Sequence, residues 1–300
     1  MVARGDTGDR AMRIAVVACG EMGGGIARRL TSNGCEVFTS LDGRSAASRA
    51  RAVAAQLQIV DDDALLIGGV DVFLSVVPPA VALRVAERFA PALARANGRV
   101  LYADCNAVAP ATVRAIAKTV GATGSAFVDA GIIGGPPKDD DAGPRLYASG
   151  EAAARLGELT AFGLDVRVMT GGIGAASALK LAYASLTKGL AALGVAAALG
   201  AASEGVSAAL AAELAASQPA MAGLLARAMP RMYPKAHRFV GEMEEIARFL
   251  GEAPAAEIYL GAAAVFRDVA AAWQEVGKDA ALFGQIGAAF PAERRTERAA

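Results

Sequence analysis

Between Ala18 and Gly23 the chain reads ACGEMG, and the first chemistry such a stretch can do is to hold phosphate. In the G-x-G-x-x-G turn that binds dinucleotides, the first glycine permits a tight turn and the second lets backbone approach the pyrophosphate. The third lets the helix pack close to its strand. Here Ala18 stands in the first position, while Gly20 and Gly23 keep the other two. One added methyl is tolerable in that turn if its φ stays negative. Glu21 and Met22 then begin a helical stretch whose free N–H groups can face an anion. An ordinary βα turn would also favour small residues. The apolar RIAVVA before the loop and the amphipathic GGIARRLTSN after it favour the nucleotide reading.

The next chemically informative stretch is VFTSLDGRS (37–45). An acidic residue at the end of the second strand binds the ribose 2′-OH of NAD, whereas a nearby arginine accepts the 2′-phosphate of NADP. Ser40 ends the run, Asp42 comes slightly late, and Arg44 and Ser45 follow. Arg44 can pair with phosphate and Ser45 can donate from the start of the next helix, which favours NADP. Asp42 keeps NAD open, as does a reading in which Arg44 is simply solvated.

These residues need a scaffold, and the hydrophobic pattern supplies one. From residue 12 to about 170, short apolar runs alternate with amphipathic stretches, the rhythm of a parallel α/β sheet. Strands are predicted at 13–18, 36–40, 71–77, 99–104, 126–131 and 166–170, with helices between them, for example at 24–33 and 80–96. Pro78 and Pro79 end one strand and suit the opening of a helix. After TGGIG (170–174) the pattern is Ala/Leu-rich and helical, broken at SEG (203–205), SQP (217–219) and MYP (232–234). The expected organisation is a flexible tail at 1–11, an α/β dinucleotide-binding domain at 12–170 and an all-helical domain at 171–300. A helix over about 174–202 would span roughly 40 Å, too long for one small domain to cover, and so is expected to pack on a second subunit.

Composition excludes several classes. Thirty basic and thirty acidic residues leave no net field for nucleic acid or an anionic membrane. The apolar stretch GLAALGVAAALGAA (189–202) is bracketed by Lys188 and Glu204, so a buried helix is expected rather than a bilayer span. Three cysteines (Cys19, Cys35, Cys105) without ligand spacing and the single histidine, His237, argue against a metal site and for reduced thiols in the cytoplasm. The N-terminus lacks the apolar run of a secretory signal. PPKDDDAGPR (136–145) reads as a solvated loop rather than a metal site.

Four segments taken in order resemble the β-hydroxyacid dehydrogenase superfamily, related to 3-hydroxyisobutyrate and 6-phosphogluconate dehydrogenases. They are ACGEMGGGIA (18–27), SVVPPAVA (75–82), DAGIIGGPP (129–137) and GGIGAASALK (171–180). HRFVGEMEEIARFL (237–250) resembles a branch carrying the phosphogluconate-dehydrogenase-like C-terminal domain DUF1932. The resemblance implies a Rossmann domain, an interdomain active site, a homodimer built on the helical domains, and hydride transfer between NAD(P) and a hydroxyl-bearing carbon of a small molecule. It places Val77 and Pro78 beside the nicotinamide and Asn106 near the cofactor, although asparagine also suits a turn or helix cap. Lys180 matches the catalytic lysine. Hydride leaves an alcohol carbon only if the hydroxyl proton is taken up, and a lysine in an apolar setting such as ALKLAYA can exchange that proton.

Two positions depart from the family's pattern. Asparagine one turn after the lysine is replaced by Ala184, leaving Tyr183, Ser185 or Thr187 to substitute in part. The serine of an S-G-G carboxylate site is replaced by Ile133, so the backbone N–H groups of Gly134 and Gly135 would have to serve. Both changes point to a substrate unlike 3-hydroxyisobutyrate. His237 is either a substrate ligand or a surface helix start, while Glu242 and Glu245 read as ion-pairing residues. Two alternatives stand beside the dehydrogenase: an imine reductase, against which Lys180 speaks, and a nucleotide-binding protein without catalysis.

Overall fold

The computed structural model describes residues 11–138, 142–274 and 280–291, so the N-terminal tail, the three aspartates 139–141 and the closing 292–300 lie outside the described residues. The chain divides into two compact units, residues 1–180 and 181–300.

The first unit is an eight-stranded sheet of β1 (Arg13–Val17), β2 (Glu36–Thr39), β3 (Gln58–Ile59), β4 (Val72–Ser75), β5 (Leu101–Asp104), β6 (Ala126–Ile133), β7 (Arg145–Ser149) and β8 (Asp165–Val168). The spatial order is β3-β2-β1-β4-β5-β6-β7-β8, and only the β6–β7 pair is antiparallel. Helices α1 (Glu21–Ser32), α2 (Ala46–Ala54), α3 (Asp63–Gly68), α4 (Ala82–Arg95), α5 (Pro110–Gly121) and α6 (Ala153–Gly157) connect the strands. The reversal of direction between β1 and β4 is the topological switch point, where open α/β sheets bind ligands outside the carboxyl ends of their strands. The α/β fold is the one the sequence indicates. Two strands escape the sequence reading. β3 is only two residues long, and β7 (RLYAS) follows Gly143-Pro144, where turn residues mask the apolar alternation.

The sheet has an apolar core on each face, as parallel strands buried on both sides require. One face carries Ile14, Val16, Leu74, Ala103 and Val128, and the other Ala15, Phe73, Tyr102 and Phe127. On that second face the aromatic rings stack across the strands, Phe73 on Tyr102 at 5.0 Å and Tyr102 on Phe127 at 5.9 Å. Side chains alternate with period two, so the same face shows a new row two residues further along. That row is Ser75, Asp104, Asp129 and Ser149, in register on β4 to β7 and fully buried. The face therefore turns from apolar to polar toward the carboxyl ends of the parallel strands.

Helix α7 (Ala175–Ser203) begins in the first unit and continues into the second, which adds α8 (Ser207–Ser217), α9 (Pro219–Met232), α10 (Ala236–Leu250), α11 (Pro254–Gln274) and α12 (Ala280–Ala289). The helix breaks fall where the sequence places them. The second unit's core is built on Met229, Met243, Ile246, Phe266 and Val269, with Tyr233, Trp273 and Phe283 packed together. Lys188 pairs with Glu242 and sits 4.4 Å from the Phe239 ring; buried Glu245 pairs with Arg248 at 2.9 Å. α7 is long and apolar enough to cross a membrane, but it is less buried than the sequence leads one to expect. Leu186 is 75% and Leu193 58% exposed, and α8 buries no residue at all.

Candidate active site

The loop after β1 turns directly into α1, whose N-cap is Gly20, and no side chain caps that end. The first-turn N–H groups of a helix have no partner within it, and the macrodipole adds positive potential there. A Cβ built on Gly20 would meet nothing within 4 Å, so open space lies ahead of the loop. A Cβ on Gly23 would stand 2.0 Å from the Ala18 carbonyl oxygen, a distance only glycine avoids. Gly20 thus leaves room for a ligand and Gly23 lets helix and strand touch, which is the fit a pyrophosphate needs. Glu21 is exposed and Met22 half-buried at the rim.

At the end of β2 the polar residues sort into two sides. Ser40 is buried and turned inward, its hydroxyl 3.5 Å from Asp61 and 3.4 Å from Arg88, so its side chain is engaged within the protein. Arg88 holds Asp63 through two 2.8 Å hydrogen bonds and draws Asp42 to 3.8 Å. Those carboxylates raise the Arg88 guanidinium above its ordinary value. On the other side, Ser45 caps α2 by accepting from the Ser48 N–H, and half-buried Arg44 precedes it.

At the switch point, Ala18 N–H donates to the Val76 carbonyl and joins the two loops. Pro78 is exposed and Val77 buried. Asn106 is also buried. Its Oδ1 accepts from the Val77 N–H at 2.6 Å, and its Nδ2 donates to Ser75 Oγ at 3.0 Å and to Asp104 at 2.9 Å. The turn role that asparagine also suits is thus on display: Asn106 fixes the β4 loop from the β5 loop.

Asp104 accepts the Asn106 N–H as well, at 3.1 Å. Burial nevertheless pushes its carboxyl up to about 7, against the pull of the Asn106 hydrogen bonds. The folded chain then holds a proton that an unfolded chain, titrating near 3.8, releases. Stability from this group is full below pH 3.8 and falls as pH rises toward 7. Thermal melts of the native chain between pH 5 and 8 should show that loss, and Asp104→Asn should flatten the slope whatever it does to absolute stability. Parallel slopes in the two proteins would refute the assignment. Burial also raises the Tyr102 phenol and the Cys105 thiol, both of which sit near Asp104.

Asp129, in register with Asp104, does different work. Its carboxylate accepts from the N–H groups of Gly174 (2.9 Å) and Ser177 (3.1 Å) and from the Ser177 hydroxyl at 2.6 Å. The Ser149 hydroxyl donates to it at 3.1 Å and accepts from the Ala176 N–H at 3.0 Å. Two residues along β6, a Cβ on Gly131 would fall 2.6 Å from the Ala176 carbonyl oxygen and 3.1 Å from Lys180 Cβ. Strand and helix touch at Gly131, and the contact sets half-buried Lys180 against β6 just beyond the polar row.

The remaining sequence candidates are divided between the two units. The Ile133 side chain is buried, whereas Gly134 and Gly135 are exposed with Gly134 at φ +131°. In the helical unit Tyr183 and His237 are exposed, and the Thr187 hydroxyl donates to the Tyr183 carbonyl at 3.0 Å. The sequence reading passes over Asp104, Asp129 and Ser177. The signal available was an aspartate at the end of two consecutive apolar runs, YAD and FVDAG. Among the described residues no cluster of three His, Cys, Asp or Glu side chains could hold a metal, and the three cysteines are buried and unpaired.

The chain is similar to known proteins over most of its length. Residues 13–159 match the NAD-binding domain of 6-phosphogluconate dehydrogenase, and residues 201–269 match the domain of unknown function DUF1932. An uncharacterised 28.5 kDa protein of Methanothermus fervidus is 30% identical over 182 residues, 61% of this chain and 68% of that one. A conserved protein of unknown function, described as structurally similar to 3-hydroxyacid dehydrogenases, is 28% identical. That match covers 91% of this chain and 99% of the other, with a TM-score of 0.65. The 3-hydroxyisobutyrate dehydrogenase of Mycobacterium tuberculosis, solved with L-serine, shares the fold at 17% identity; 92% of this chain and 98% of that one align, with a TM-score of 0.67. The chain carries an NAD(P)-binding domain and belongs to the β-hydroxyacid dehydrogenase-like superfamily, in the branch that carries DUF1932.

Proposed function

We propose that this protein oxidises a β-hydroxy acid or a related small alcohol, or reduces the matching carbonyl, with Lys180 as general acid/base and NADP as the preferred cofactor. The observation that carries the reading is the placement of Lys180 against Gly131 of β6, at the carboxyl ends of the strands where such sheets bind ligands. The bound nicotinamide supplies hydride transfer. Gly20 and the open end of α1 receive the pyrophosphate, while the Asn106–Val77 hydrogen bond holds the β4 loop in place. Lys180 Nζ takes the hydroxyl proton as hydride leaves, or returns one to the developing alkoxide. With the Ile133 side chain buried, a substrate carboxylate would be held by the N–H groups of Gly134 and Gly135. Arg44 supports NADP, and the drawing of Asp42 toward Arg88 weakens the case for NAD. The exposed apolar side chains of α7 and α8 support a homodimer through the helical domain.

The test begins with light scattering of the purified protein, where twice 30.2 kDa is expected. Turnover is then measured with NADP+ and NAD+ on panels of hydroxy acids and sugar acids, and with NADPH and NADH on cyclic imines. Oxidation confined to hydroxyl-bearing carbons supports the reading. Turnover of imines alone, or cofactor binding without any turnover, would overturn it.

A further inference from the structure

Resting on the NADP reading above, we infer that Arg51 is a second arm of the 2′-phosphate site and ties it mechanically to the pyrophosphate loop. Arg51 lies on α2, six residues beyond the cap, where a sequence reading would leave it solvated. Its Nε donates to the Cys19 carbonyl at 3.0 Å, inside the ACGEMG turn. Its stem crosses α1, with Cβ and Cδ both 3.6 Å from where a Gly24 Cβ would stand. The guanidinium is thus fixed by one edge to the loop that begins the dinucleotide site.

The surrounding charges show what this arm is for. Arg49 is spent on the Leu41 carbonyl at 2.9 Å, and Arg88 gathers Asp63 and Asp42 on the far side. Among the described residues, neither Arg44 nor Arg51 pairs with a carboxylate. Both cations lie close enough to Cys19 to favour its thiolate, although burial outweighs them and raises the thiol. Two guanidiniums without carboxylate partners beside one loop favour an anion there. The end of β2 is where the adenosine ribose of a dinucleotide lies, and a phosphate dianion on its 2′-oxygen carries the charge that resolves the pair. Arg51 is held beforehand by its carbonyl contact, so little side-chain freedom is lost on binding.

The test is a fluorescence titration of NADPH and NADH against the full chain and its Arg51→Gln, Arg51→Lys and Arg44→Gln variants, with melting temperatures to confirm folding. Arg51→Gln should weaken NADPH at least tenfold and leave NADH within about twofold. Arg51→Lys keeps the charge but not the fork, and should fall between. Equal losses for both cofactors would reduce Arg51 to a loop clamp and overturn the inference; so would no loss for either. Tighter binding of NADH than NADPH by the native chain would instead refute the NADP preference itself, and shows up before any variant is made.

Discussion

Lys180→Ala should lower kcat by about 10²–10⁴-fold, the usual contribution of a positioned general acid/base, while leaving cofactor affinity within a small factor. The two halves of that expectation come from different parts of the fold. In the proposed reading the cofactor is held by the loop after β1 and the ends of β2 and β4. The proton is handled in that reading on α7, where the backbone stands against Gly131. Lys180→Arg sharpens the test, because arginine keeps the positive charge but cannot give up a proton at any working pH. If Lys180 only neutralised a substrate anion, arginine would rescue turnover. If it exchanges a proton, arginine should be nearly as slow as alanine, and the lysine's limb of the pH–rate profile, acidic for oxidation and basic for reduction, should disappear. Native turnover in the alanine variant would remove Lys180 from the chemistry.

How much of this was legible beforehand depended on sequence distance. The βα rhythm and the helical tail are local patterns, and both are seen in the fold. Gly20 and Gly23 announce themselves because each sits in a short stretch with its partners close by, whereas Lys180 stands out only through its match to the family's motif. Ser40 could be placed at a strand end but not aimed; the fold turns its hydroxyl toward Asp61 and Arg88. Asn106 could be a cofactor neighbour or a turn residue, and only the approach of Val77, 29 residues away, shows the hydrogen bond it makes. Asp104 and Asp129 were invisible as a pair. Their adjacency exists only once β5 and β6 are in register, and a lone aspartate after an apolar run looks like the beginning of a loop. Arg51 was hidden in the same way, since its contact with Cys19 spans 32 residues.

Asp129→Ala is expected to destabilise the first unit by about 3–5 kcal/mol, the cost of leaving several buried donors without their acceptor. In a chain of this size that lowers the melting temperature by about 5–8 °C. The variant strands the N–H groups of Gly174 and Ser177 and leaves the Ser149 and Ser177 hydroxyls to find other acceptors. Those donors form the first turn of α7, where a carboxylate also complements the helix dipole. Asp129→Asn separates hydrogen bonding from charge. Its remaining oxygen can accept both N–H groups, and its amide can face the Ser177 hydroxyl, which rotates to become an acceptor. The asparagine variant should therefore keep most of the stability. Because Lys180 lies one turn beyond Ser177, the alanine variant should also lose kcat at temperatures where it remains folded, with cofactor affinity preserved. An alanine variant that melts with the native chain and turns over normally would mean that α7 is held by something other than this carboxylate. Lys180 would then owe its place to contacts such as that with Gly131 rather than to Asp129.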